Sequence, residues 1–139
     1  RTAREHGNHP FGAVLVDENG DVLLEAENTV NTDGDVTAHA ETNLIREASR
    51  RFKSKKLAKC TLYASTEPCP MCAGAIFWGK VGRVVFALST HSFYSILGVT
   101  PDNLPMPCRE VFARGGRQVE VVGPLLEEEA RNVHEGFWD

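Results

Sequence analysis

Four residues have types and spacing that could do chemistry together. His39 and Glu41 lie in Thr-Ala-His-Ala-Glu (37–41), and Cys69 and Cys72 lie in Glu-Pro-Cys-Pro-Met-Cys (67–72). The cysteines are three apart where Pro70 favours the first turn of a helix, so both sulfurs fall on one face. A helix N-terminus lowers thiol pKa values and favours thiolates, and thiolates bind zinc. A Cys-x-x-Cys pair is also a redox motif, or simply two inert thiols. Pro68 and Pro70 flank Cys69, and nothing thioredoxin-like surrounds it.

His39 strengthens the metal reading. A lone histidine is more often a polar core or surface residue than a ligand. This one sits where Thr37 is a plausible N-cap, which places His39 and Glu41 in the first turn of a second helix. Residues two apart on a helix point to nearly opposite sides. They share a site only if it lies beyond the helix tip, and a zinc ion between two helix N-termini meets that condition. Three protein ligands leave a fourth position for water, as in catalytic zinc sites. Cys60, in a predicted strand, and Cys108, late in the chain, read as buried thiols. Alone, Glu41 reads as an acid complementing the helix dipole.

The elements that must position these residues follow from patterning. Residues 11–17 form an apolar run that reads as a buried strand. Asn19-Gly20 is a hairpin turn, and residues 22–28 return as the second strand. Residues 29–36 read as a polar loop. Leu44, Ile45 and Ala48 recur at helical spacing within residues 38–52. Residues 60–65 and 82–88 read as strands, with a helix from Pro70 to Gly79 between them. Residues 90–97 suit a short helix, and the prolines at 101, 105 and 107 exclude regular structure from residues 98–107. A short helix, a last strand and a final helix over residues 124–137 complete the chain. Strands alternating with helices predict an α/β fold: a five-stranded mixed sheet in a three-layer α/β/α sandwich, parallel after its first hairpin.

The whole chain sets bounds. Its 139 residues fit one domain, residues 1–139, opening in what reads as the last turns of a helix whose start is not included. A net charge of −4 argues against a polyanionic partner such as nucleic acid. No apolar stretch approaches the ~20 residues of a membrane span. Cysteine usage suggests a reducing compartment, hence a cytoplasmic location.

His-x-Glu followed by Pro-Cys-x-x-Cys resembles the signature of the zinc-dependent cytidine and deoxycytidylate deaminase superfamily. "PFGAVLVD", "TAHAE", "STEPCPMCAGAIFW" and "GRVVFAL" fall in that family's order. The resemblance implies one zinc held by His39, Cys69 and Cys72, with Glu41 shuttling the proton. It also implies a homodimer. "PFGAV" and "GAIFW" look most like the guanine deaminase and nucleoside deaminase branch. That likeness implies a purine pocket walled by Phe11 and Trp78, with Asn28 and Ala40 contacting the base. "EPCPMCAGAI" also resembles transfer-RNA adenosine deaminases. Their basic terminal helix is replaced here by the acidic "LLEEEARNVHEGFWD", which would repel phosphates. Residues 88–112 depart from the guanine deaminase pattern, so cytosine-type amines remain open. Because guanine deaminases cover an active site with their tail, the terminal "HEGFWD" is either such a cover or plain packing.

Overall fold

The computed structural model describes residues 1–139. In chain order it contains α1 (Thr2–Glu5), β1 (Gly12–Val16), β2 (Val22–Glu27), α2 (Val30–Asp33), α3 (Ala40–Arg51), α4 (Ser54–Leu57) and β3 (Thr61–Thr66). There follow α5 (Pro70–Trp78), β4 (Arg83–Leu88), α6 (Thr90–Leu97), α7 (Cys108–Phe112), β5 (Glu120–Val122), α8 (Glu127–Arg131) and a 3-10 turn at Asn132–His134.

The strands form one mixed sheet in the order β2-β1-β3-β4-β5. The β1–β2 hairpin is antiparallel, as is β1–β3, while β3–β4 and β4–β5 are parallel. Gly20 takes φ +86° at the hairpin turn, a conformation that favours glycine. Opposed residues share a face, so Leu15, Leu62 and Val84 line one side, as do Ala13, Ala64 and Phe86. All six are buried. Burying each large one stabilises the fold by ~1.5–3 kcal/mol.

α3, α5 and α7 pack on this face, where their buried residues join those of the sheet in one core. In α3, Ala40, Leu44 and Ala48 are buried at four-residue spacing, and Ile45 follows Glu41 by the same step. α5 is apolar around most of its circumference, and accordingly it packs between α3 and α7. α1 and α8 take the opposite face, where the guanidinium of Arg4 donates to the carbonyls of Val133 and Glu135. Gly82 precedes β4 because an added Cβ would sit 2.1 Å from the Ala58 carbonyl oxygen.

Three expectations need correction. Residues 29–36 are not all loop, since Val30–Asp33 makes one helical turn ended by Gly34 at φ +62°. The α4 turn was not anticipated. The final helix is much shorter than residues 124–137: Leu126 precedes it at φ +51°, α8 spans five residues, and Gly136 at φ +63° prevents continuation. No helix is long and apolar enough to cross a membrane. All four cysteines are free thiols.

Candidate active site

The site lies beyond the carboxyl ends of β3 and β4, where ligands of open α/β sheets bind. β3 ends at Thr66, and Glu67 and Pro68 carry the chain to Cys69. Cys69 is the N-cap of α5, with extended backbone (φ −67°, ψ 169°), and Pro70 begins the helix. His39 is the N-cap of α3, equally extended (φ −70°, ψ 153°). The Thr37 cap expected from sequence is therefore displaced by two residues. Asp35 claims Thr37, whose N–H and hydroxyl both donate to its carboxylate. Neither His39 nor Cys69 spends its side chain on a cap bond.

Because α3 and α5 pack side by side, their tips meet. Nδ1 of His39 lies 3.5 Å from each sulfur, of Cys69 and of Cys72. The three ligand atoms all fall within 4.8 Å of one another. An imidazole nitrogen and two thiols are the donor set zinc prefers, and three protein ligands match its catalytic form. His39 and Cys69 also line a cavity, which leaves an open side for water and substrate. The Thr42 hydroxyl lies 3.3 Å from the Cys72 sulfur, an outer contact the sequence did not reveal.

A hydrogen bond from Cys72 pulls the Cys69 thiol down to about 4, with help from His39. Cys72 is pushed up, by donating to Cys69 and by burial. His39 is raised, chiefly by its bond to Cys69. Glu41 is buried, and burial holds its carboxyl up at about 7. At that value one group both accepts and returns protons near neutral pH.

The cavity encloses about 160 Å³, below the ~300–1,000 Å³ of sites for drug-sized ligands. Phe11, His39, Glu41, Thr66, Glu67 and Cys69 line it together with Thr90, Phe93, Tyr94 and Leu97 of α6 and Asn103, Leu104 and Met106 beyond that helix. Of the four residues read as substrate contacts, only Phe11 is in this wall. Asn28 is buried behind it: its N–H donates to the Phe11 carbonyl, and its Oδ1 accepts from Val30 N–H. Ala40 is buried at the start of α3, where its N–H meets no protein acceptor. Trp78 is corrected. It ends α5, away from the helix tip that carries Cys69, and is 76% exposed. The tail packs on its own chain. Trp138 donates to Nδ1 of His134 at 3.1 Å and packs near Phe11 and Phe93, behind the wall.

The description of the cytidine and deoxycytidylate deaminase zinc-binding region matches residues 1–88. The chain belongs to that zinc-dependent deaminase family, a family of hydrolases. A probable cytosine deaminase of Schizosaccharomyces pombe is 44% identical over 139 residues, 99% of this chain and 84% of its own length. A tRNA-specific adenosine deaminase of Bacillus subtilis is 37% identical over 138 residues, 99% of this chain and 81% of its own. The structure of a guanine deaminase from Nitrosomonas europaea superposes with a TM-score of 0.77 at 26% identity, covering 96% of this chain and 75% of that one.

Proposed function

We propose that this protein, as a single domain over residues 1–139, hydrolytically releases ammonia from a small amino-substituted nucleobase. The observation that carries this reading is the small, mostly apolar cavity opening onto the two helix tips. His39, Cys69 and Cys72 hold the zinc, which when bound supplies a water acidified enough to attack near neutral pH. Glu41, buried beside them, takes one proton from the attacking water and passes it to the ring nitrogen; it then takes the second proton, from the hydroxyl now on the ring carbon, and delivers it to the amine, which leaves as ammonia as the carbonyl forms. Phe11 stacks on the ring. Asn28 and Ala40 stand outside the lining and are buried, so their part in this reading is to reach the base edge from beneath it, through the amide nitrogen of Asn28 and the N–H of Ala40, neither of which donates to a protein group.

Two finer readings compete. A guanine-like base is supported by Phe11, Asn28 and the likeness to guanine deaminase, but Trp78 no longer contributes to it. Cytosine is supported by the relative named cytosine deaminase, which is 44% identical over 99% of this chain, wall-bearing residues included, where the tRNA-specific relative spans the same residues at 37%. An anticodon loop fits less well. Glu128 and Glu129 remain exposed on α8, and the cavity is small. The reading includes a homodimer.

The test is ammonia release from guanine, guanosine, adenine, cytosine, cytidine and an anticodon stem-loop. The expected result is a free base turned over best, with its preference changed by Asn28→Ala. Preferred turnover of the stem-loop would replace this reading with the transfer-RNA one.

A further inference from the structure

Glu67 is a buried acid that the chemistry above leaves unused. Its two carboxylate oxygens reach two separate elements. Oε1 accepts from the backbone N–H of Thr90 at 2.9 Å, and Oε2 accepts from that of Cys108 at 2.8 Å. Both bonds are buried, and they span 23 and 41 residues of sequence. Thr90 is the first residue of α6, and Cys108 is the first residue of α7. Each therefore presents an N–H that no helical carbonyl can satisfy. The Cys108 thiol reports the same neighbour: it is pushed up to about 12, first by burial and then by the Glu67 charge.

The connectivity makes these contacts consequential. α6 carries Phe93, Tyr94 and Leu97 into the cavity wall, and the irregular segment between the helices carries Asn103, Leu104 and Met106. That segment, residues 98–107, has no strand or helix of its own. One carboxylate holds the start of α6 and the start of α7, the two helices that flank the segment, and that carboxylate is two residues from Cys69. We propose that Glu67 is a positioning residue. It fixes the substrate wall to the zinc-ligand turn, and it sets how tightly a base is held without taking part in the bond changes.

Charge and geometry are both required. A carboxylate accepts at both oxygens, whereas an amide offers one acceptor and turns an N–H toward the second donor. Glu67→Gln is close in size but leaves one helix N-terminus facing a donor. The inference rests on the cavity being the substrate site, so the test includes a measurement independent of turnover.

Three variants are compared with the parent zinc-loaded protein: Glu67→Gln, Thr90→Pro and Thr90→Val. Proline is tolerated at the first helical position; it deletes the N–H and also the threonine side chain, which lines the cavity. Valine keeps the N–H and loses the hydroxyl, so it controls for the side-chain change. Zinc content, exchange of the Cys108 amide hydrogen, and KM and kcat for guanine and cytosine are measured. Glu67→Gln and Thr90→Pro should keep zinc and exchange the Cys108 amide at least ~10-fold faster, because weakening the buried carboxylate bridge opens that bond. KM should rise ~10-fold, with kcat within ~3-fold, the pattern of lost uniform binding. Thr90→Val should exchange like the parent. Unchanged exchange in both Glu67→Gln and Thr90→Pro would overturn the proposal, as would a fall in kcat with KM unchanged. If neither base is turned over by the parent, the substrate reading fails while the exchange result still decides whether Glu67 holds the wall.

Discussion

Residues 1–88 and residues 89–139 meet in one cavity but contribute different things to it. The first region supplies the groups that can react: the His39, Cys69 and Cys72 cluster and the buried Glu41. It is also the region matched by the zinc-binding family description. The second supplies shape. Phe93, Tyr94, Leu97, Leu104 and Met106 are apolar or aromatic wall, and they sit on a short helix and an irregular segment. Chemistry here is held by helix tips packed on a sheet, while much of the cavity wall is carried by a short helix and a segment tied down at few points.

The largest effect expected belongs to the first region. Cys69→Ala should lose stoichiometric zinc and reduce ammonia release to background, because two protein ligands do not make a catalytic zinc site. Metal analysis of the purified variant checks this, and undiminished zinc would break the division at its root. A smaller effect belongs to the wall. Leu104 is 63% exposed and lines the cavity, so its loss should not unfold the protein. Leu104→Ala should leave zinc unchanged and shift the ratio of kcat/KM between guanine and cytosine by ~3–10-fold, the scale of a few apolar contacts. Comparing the two ratios decides it.

The third effect concerns stability and locates the wall's support. His134 is buried against Phe11, Phe93 and Trp138, and burial pushes its pKa down to about 4. Trp138 donates to Nδ1, so the proton is on Nε2, which is buried without a partner. The unfolded chain binds a proton near pH 6.5 and the folded chain does not. Stability should therefore fall as pH drops from ~6.5 towards 4, by about 3 kcal/mol if the whole shift is realised. The loss levels off below the folded pKa. His134→Gln keeps an acceptor and removes the titration. Urea unfolding at several pH values should show a shallower pH slope in the variant, and equal slopes would remove His134 from this role.

The same division governs what was legible in the sequence. The cysteine and histidine ligands could be read because they sit at helix starts, where local spacing fixes geometry, while the role of Glu41 came from the resemblance to the deaminase signature. Even there, the N-cap fell on His39 rather than Thr37, because an Asp35 contact competes for the threonine. The strands and α6 were readable from apolar runs and turn residues. The final helix was misjudged because helical composition does not reveal that Leu126 and Gly136 adopt positive φ. Trp78 was misplaced because an apolar helix does not announce which end faces the site. Glu67 reads locally as part of a cysteine motif, and its two bonds across the fold belong to tertiary structure. The acidic tail was also more than charge: Glu127 accepts from the N–H and hydroxyl of Ser89 at the start of α6.

The central claim is that Glu41 moves the proton while His39, Cys69 and Cys72 hold the metal. The most direct measurement is ammonia release by Glu41→Gln beside the parent, on the best base of the panel, with zinc quantified in both. Glu41→Gln should retain a full complement of zinc and lose ~10²-fold or more in kcat, the scale of a general acid–base contribution. Full activity in a zinc-replete Glu41→Gln protein would contradict the account.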